Sequence, residues 1–435
     1  FVPSAEEDDG SCIYDPSSDA ELVWQLGAPI GTAPPALATI THPSTPISAW
    51  SSISGPLPTN AWFMNTGLGD GNLVINTLPY LVRSLGNRLM VGLPTTIGIS
   101  STFVFTAAVD DLSLGATEAI ASREIVDFDL LSVTLEWAGA SSGSMRAPLV
   151  RGSPYITMFY DGLTPRLSSE RAIVALNGSG TRYEVSLNTG EAFVIYASSS
   201  VDLAQSGGGI EASAPFTGTL RVARLSAAEA VLDAHADAIP TGGTLSADIE
   251  NSEGNVTFDW ERTGSGSLLM MALPHHQAIL TGATTTAYTQ KTIRGTMVGI
   301  TGDQWVMDFD LPPLGFQAER PINSSFTSAL ESALALEKGA LPTSTDTYFF
   351  GTEIGRMARL LLIAEALGDE ESAAQLTTAL KGQLAPWIAG TNADPLVYDT
   401  VWGGVVPQAA AANPSAQFGS GWYNDHHFHY GYHVY

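Results

Sequence analysis

Between Tyr423 and His433 the chain reads Tyr-Asn-Asp-His-His-Phe-His-Tyr-Gly-Tyr-His, with one carboxylate, four imidazoles and four aromatic rings in eleven positions. Half of the eight histidines lie here. Such a mixture is poor core material, because every buried imidazole or carboxylate must be paired or wetted. It suits a sugar-binding cleft, where aromatic faces cover pyranose rings and a carboxyl group works on a glycosidic oxygen. Asp425 is the catalytic candidate: desolvation among rings holds a carboxyl protonated, as protonating a leaving group requires. A second reading of the same residues is that Asn424 or Asp425 caps a helix running on through Phe428. His429 and His433, at i and i+4, share a helix face as zinc-binding pairs do. The glutamate of the zinc-protease signature is absent, however, and only His275-His276 offers a third ligand, so no metal is expected. The imidazoles serve better as hydrogen-bond partners of sugar hydroxyls, as orienters of Asp425, or as packing.

A second constellation is Tyr398-Asp399-Thr400-Val401-Trp402-Gly403-Gly404. Asp beside Trp and Tyr in a Gly-rich loop holds a sugar by stacking and hydroxyl hydrogen bonds; a turn with a structural Trp fits equally well. Arg151-Gly152-Ser153-Pro154 and Leu273-Pro274-His275-His276 read as strand-end turns. No phosphate-binding loop and no Gly-x-Ser-x-Gly nucleophile elbow occur.

The elements that position these residues change character along the chain. Residues 1–20 are acidic and Ser-rich, and disorder is expected. From 21 to 238, short alternating apolar runs separated by Gly, Pro, Asn and Asp predict a large antiparallel β-sandwich. Val126, Phe128 and Leu130 alternate, then Leu131, Val133, Leu135 and Trp137 alternate in the opposite phase, which reads as a bulge or a crossing between sheets. Arg182–Asn188 and Glu191–Ser198 read as a hairpin. A short helix over Ser226–Ala238, closed by Pro240 and Gly242-Gly243, marks a boundary. Residues 239–322 read as a small linking α/β domain, with strands at Leu268–Pro274 and Thr296–Trp305. Beyond 323 the apolar period becomes 3.6. Phe326, Leu330, Ala333 and Leu334 form one stripe, Glu353–Leu367 carries a broader one, and Asp369–Leu384 a narrower one ended by Pro386. Ala409–Ala412 reads as loop. Helix pairs of this kind suggest a helical barrel or bundle, of which 323–435 would be the first part.

Net charge is −26, from 44 acids against 18 Lys and Arg, and no basic stripe exists. Nucleic acid and anionic membrane are therefore disfavoured partners. No apolar run approaches the ~18–20 residues that cross a bilayer. A single cysteine, Cys12, forms no intramolecular disulfide and says nothing of compartment. The chain begins with Phe, which is read as a removed signal or a fragment.

These residues resemble glycoside hydrolase family 81, the endo-β-1,3-glucanases. The match at Tyr423–Tyr432 is specific. Others follow in order: Pro58–Phe63, Leu78-Pro79-Tyr80, Leu149–Tyr155, Leu273–His276, Gly295–Met297 with Gly302–Trp305, Tyr348–Gly351 and Tyr398–Gly404. The resemblance implies a β-sandwich, a linking domain and an (α/α)6 barrel carrying the site, with cleavage of internal β-1,3 linkages by inversion and no cofactor. It makes Asp425 the general acid and places the base, a glutamate, beyond Tyr435. The expected lining residues are His429, Tyr423, Tyr430, His426, Asp399 and Trp402. The expected protein is a secreted monomer acting on β-1,3-glucan, and this span alone is expected to lack turnover. A non-catalytic glucan-binding fragment and a histidine-cluster metal hydrolase are the alternatives.

Overall fold

The protein was analysed as a computed structural model, which describes residues 24–25, 37–42, 47–53, 57, 74–94, 97–101, 104–106, 109–250, 253–310 and 322–434. Residues 1–20 with Cys12, and the block Pro58–Phe63, lie outside that set.

Up to residue 224 the described elements are strands, apart from one 3-10 turn at Ser48–Trp50. An eight-stranded and a seven-stranded sheet dominate. Leu89, Val91, Leu112 and Leu114 of the smaller sheet share one core with Val133, Leu135, Trp137, Val185 and Ile195 of the larger. The predicted hairpin is present, Arg182–Leu187 pairing antiparallel with Ala192–Ala197. The phase inversion at Leu130-Leu131 is neither a bulge nor a sheet crossing. Ile120–Phe128 and Ser132–Gly139 are adjacent antiparallel strands, and the inversion is the turn joining them. Asp129 makes that turn, its Oδ1 accepting from the backbone N–H groups of Leu131 and Ser132 at 2.7 Å each. Ile125, not Val126, is the core residue of the first strand; Val126 is 36% exposed.

Helix α1 (Glu229–His235) closes this part, but the expected breakers after it do not break the chain. Pro240, Gly242 and Gly243 lie inside a long strand, Ala238–Glu250. A Cβ on Gly242 would overlap the Asp129 carboxylate, whose Oδ2 accepts from Gly243 N–H at 2.9 Å. Glycine is used here for close approach rather than for a turn. The expected strand over Leu268–Pro274 is Leu269–Ala272, and Pro274 instead opens helix α2 (Pro274–Ile279). Proline at the first helical position costs no hydrogen bond. Thr296–Trp305 divides into Gly295–Thr301 and Gln304–Asp310.

The seam between the two regions is polar and buried. Tyr80 Oη donates to Pro154 O at 2.8 Å and accepts from Arg224 N–H at 2.8 Å and Gln290 Nε2 at 3.2 Å. Met271 N–H donates to Gly152 O at 2.7 Å. The expected turn at Arg151–Pro154 is therefore a docking point as well.

Six helices follow: α3 (Thr327–Glu337), α4 (Thr347–Leu367), α5 (Glu370–Ile388), α6 (Gln408–Ala412), α7 (Ala416–Gly419) and α8 (His426–Val434). Helix α4 starts six residues before the expected Glu353, because Asp346 Oδ1 caps it by accepting from Tyr348 and Phe349 N–H at 3.1 and 2.8 Å. Pro386 sits inside the last turn of α5 instead of ending it. Ala409–Ala412, expected as loop, is helical in α6. Leu334, Ala364 and Leu376 join α3, α4 and α5. Of the stripe begun at Phe326 only Leu334 is buried, and Phe326 is 61% exposed.

Candidate active site

A three-stranded sheet carries the first half of the site. Ala38–Ile40, from the front of the chain, runs parallel to Leu396–Asp399, which pairs antiparallel with Val405–Pro407. Asp399 ends the central strand and organises the turn: its N–H donates to Gly404 O at 2.8 Å, its carbonyl accepts from Gly403 N–H at 2.9 Å, and Oδ1 accepts from Val401 N–H at 2.8 Å. The side chain is fully buried, at 0% exposure. Its other oxygen accepts from Tyr423 Oη at 2.9 Å. The Tyr423 ring lies so tightly over Gly404 that a Cβ there would overlap Cε1. Trp402 is buried in the core of the two large sheets. Asp399 and Trp402, expected among the sugar-lining residues, therefore offer no surface to a ligand; this is the turn with a structural Trp.

The second half is the segment leading into α8. Ser420–Trp422 forms a 3-10 turn, and Tyr423 and Asp425 both take left-handed backbone, with φ of 60° and 57°. Non-glycine residues rarely adopt that region, so two within three positions mean that the surroundings impose it. The restraints are visible. The His42 ring Nε2 hydrogen-bonds Gly421 O at 2.7 Å, Asp399 holds Tyr423, and Tyr430 Oη donates to Val405 O at 3.1 Å. His426 Nε2 lies 2.8 Å from Ser420 O, so that nitrogen carries the hydrogen of the neutral ring. Burial lowers the His426 pKa, against the opposing pull of that carbonyl. Burial first, and the Asp399 charge second, push the Tyr423 phenol above its ordinary value, so it stays a donor.

Asp425 stands at the head of α8 and is exposed, not desolvated. Asn424 Nδ2 donates to its Oδ2 at 3.1 Å. Its left-handed backbone is not the extended geometry of a side-chain N-cap, and what it gives the helix is its carbonyl, which accepts from His429 N–H at 2.8 Å. His429, at 2% exposure, lies among the rings of Tyr348, Phe418 and Phe428, and its Nδ1 has no hydrogen-bond partner among the described residues. His433 Nε2 hydrogen-bonds Thr347 O at 3.0 Å, and its ring stacks on Phe350. With His426 and His433 committed to carbonyls, the histidines do not converge. Among the described residues no three His, Cys, Asp or Glu side chains are grouped to hold a metal ion. An open cavity of about 640 Å³ runs between α4 and α8, with His427, Phe428 and Tyr432 facing Arg356 and Arg359. His42, whose contact lies 379 residues away, carried no signal in the sequence. Gly404 was in plain view, without its partner.

The description "Glycosyl hydrolase family 81 N-terminal domain" matches residues 42–320, and "Glycosyl hydrolase family 81 C-terminal domain" matches residues 319–435. The chain belongs to glycosyl hydrolase family 81. Its Asn424-Asp425-His426-His427 run thus falls in the family's C-terminal domain. A "Glucan endo-1,3-beta-D-glucosidase" of Glycine max is 32% identical over 88% of this chain and 59% of its own length. A "Primary septum glucan endo-1,3-beta-D-glucosidase" of Schizosaccharomyces pombe is 27% identical over 91% of this chain and 43% of its own. The chain thus spans about half the length of these relatives. Among solved structures, a family 81 glycoside hydrolase of Clostridium thermocellum, determined as a glutamate-to-alanine mutant, superposes with a TM-score of 0.76 at 23% identity, covering 91% of this chain and 58% of that one. The family 81 fold is therefore shared, mainly strand with helices toward the end.

Proposed function

We propose that this chain forms part of an endo-acting β-1,3-glucan hydrolase in which Asp425 is the general acid. One observation carries the reading. Asp425 is an exposed carboxylate on a backbone that the protein holds in a left-handed conformation through contacts from both ends of the chain. Rigid presentation of an acid beside a ring-lined groove is what protonating a glycosidic oxygen needs. His427 and Phe428 in that groove, with Tyr430 and His426 behind the turn, form the neighbourhood of the bound sugar. The inverting course requires a base ~6.5–9.5 Å from the acid. Glu353 does not fill that role, since its carboxylate is taken by Thr343 and Ser344.

The two large sheets are read as a β-sandwich over 21–238, residues 239–322 as a linking domain, and α3 to α8 as the first helices of an (α/α)6 barrel. Eight of the twelve large exposed apolar side chains among the described residues lie beyond residue 322, among them Leu336, Ile388 and Val434, and this supports a barrel whose further helices cover them. A monomer secreted to act on cell-wall glucan or laminarin fits the acidic surface, and no helix among the described residues is long and apolar enough to cross a membrane. The test is Asp425→Asn in the whole protein. Laminarin turnover should fall at least 10³-fold with glucan binding retained, as for removal of an essential proton donor; near-normal turnover would remove Asp425 from the mechanism.

A further inference from the structure

Left-handed backbone marks a second residue beside Asp425. Among the described residues five non-glycine positions adopt it, and four of them, Gln417, Phe418, Tyr423 and Asp425, fall close together in the chain. Such strain persists only where the surroundings impose it, and it gathers where a protein must present a group. For Gln417 and Phe418, with φ of 49° and 61°, the lock is the Gln417 side chain. Its Oε1 accepts from Thr347 N–H and Oγ1–H at 3.1 and 2.8 Å, and its Nε2 donates to Asp394 Oδ2. Beside that lock the Phe418 ring is left 55% exposed. One clamp then joins Phe418 to the acid. Asn424 Nδ2 lies 2.9 Å from Phe418 O and 3.1 Å from Asp425 Oδ2, so a single amide donates to both.

The ring does not stand alone. Phe418 meets Tyr348 edge to face, with centroids 5.3 Å apart at 78°, and Phe349 at 5.9 Å. Tyr348 in turn meets Phe428 at 5.5 Å. Phe349 and Phe428 are 49% and 53% exposed, so three half-exposed rings are joined through Tyr348 into one apolar floor. Asn424, Asp425 and His427, interleaved with these rings in the chain, are exposed as well. A helix packed over the floor would have to bury those polar groups along with the rings. A pyranose suits both, because its C–H faces are apolar and its rim carries hydroxyls. These three rings are therefore set apart from the aliphatic side chains that further helices would cover.

We propose that Phe418, with Phe349 beside it, is the stacking platform for the glucose unit next to the bond that Asp425 protonates. The inference rests on the reading of Asp425 as the general acid, and it adds the surface that holds the glucan in register with that acid. The Asp425 proton moves only during bond cleavage, whereas the platform holds the sugar equally before and during it. Phe418 therefore contributes to binding throughout and to the chemical step little.

The test uses the whole protein and a linear β-1,3-glucohexaose. Phe418→Ala should raise KM roughly ten-fold or more with kcat within about three-fold, the signature of lost uniform binding. Phe418→Leu keeps apolar volume without a flat face and should be as poor as alanine. Phe418→Trp restores a face and should bring KM back to within about three-fold of the parent. Calorimetric titration of the hexaose into the same variants on an Asp425→Asn background should give the same order of affinities. Turnover surviving in Asp425→Asn would refute the acid, and the KM series would still judge the platform. Unchanged affinity in Phe418→Ala would refute the platform and leave the acid standing. Recovery by Phe418→Leu would also overturn the proposal, since packing alone would then suffice. So would a lower melting temperature in Phe418→Ala without loss of affinity, the mark of a ring covered by protein.

Discussion

Replacing Asp399 separates a residue that shapes the site from one that takes part in its chemistry. In Asp399→Ala, two buried donors lose their acceptor, Val401 N–H at 2.8 Å and Tyr423 Oη at 2.9 Å. At ~1–3 kcal/mol for each buried group left unpaired, the loss is about 4 kcal/mol. For a unit of ~150–250 residues this lowers the melting temperature by roughly 10 °C. Tyr423 is then free to leave its left-handed conformation, and Asp425, two residues on, moves with it. A displacement of ~1 Å costs a proton donor on the order of 10² in kcat with much less effect on KM. Asp399→Asn keeps Oδ1 for Val401 and places an amide against the Tyr423 oxygen. It should cost only about 1 kcal/mol and leave kcat within ~5-fold. The assays are thermal denaturation and laminarin hydrolysis by the whole protein. A dead Asp399→Asn enzyme, down by ~10³ or more with an unchanged melting curve, would refute this reasoning and place the Asp399 charge in the reaction itself.

Gly404→Ala should behave like Asp399→Ala, because the added methyl group displaces the Tyr423 ring; combined with Tyr423→Ala it should cost no more than Tyr423→Ala alone, which a double-mutant cycle of melting temperatures would reveal. His276 has a folded pKa of about 4 against 6.5 for the free side chain. Between those values the unfolded chain holds more protons, so the contribution of this residue is complete above pH 6.5 and is lost as pH falls toward 4. The stability difference between the parent and His276→Gln, followed by denaturant titration from pH 7 to 4.5, should shift in favour of the variant as the pH drops.

The change of apolar period near residue 323 was legible because sheets and helices bury faces at different spacings; α4 and α5 contain the two runs it picked out, although α4 begins six residues earlier. Leu130-Leu131 was misread because a tight turn and a bulge invert the alternation alike; the distinguishing residue is Asp129, which holds the turn by its side chain. Ala409–Ala412 has the composition of either state, and its helix is set by packing of Ala411 against Val397 and Val406. At the site, the sequence brought out Asp425, Tyr423 and the histidines through their density, but left Asp399 balanced between a sugar contact and a turn. Only the position of Tyr423, 24 residues away, decides that choice.

The parallel pairing of Ala38–Ile40 with Leu396–Asp399 has a consequence for the order in which the molecule is made. Thr400 Oγ1 and Ile40 O, bonded at 3.0 Å, are 360 residues apart. Closing a loop of that length costs about 5 kcal/mol of chain entropy, which no local contact offsets in advance. On the ribosome the front strand emerges first and must wait through synthesis of the whole sheet body for its partner. The turn that presents Asp425 therefore cannot be completed until that partner strand has been made, and it depends on a segment that lies nowhere near it in the sequence. Trimming the chain ahead of His42 would leave every residue of α8 in place and still undo the setting of its acid.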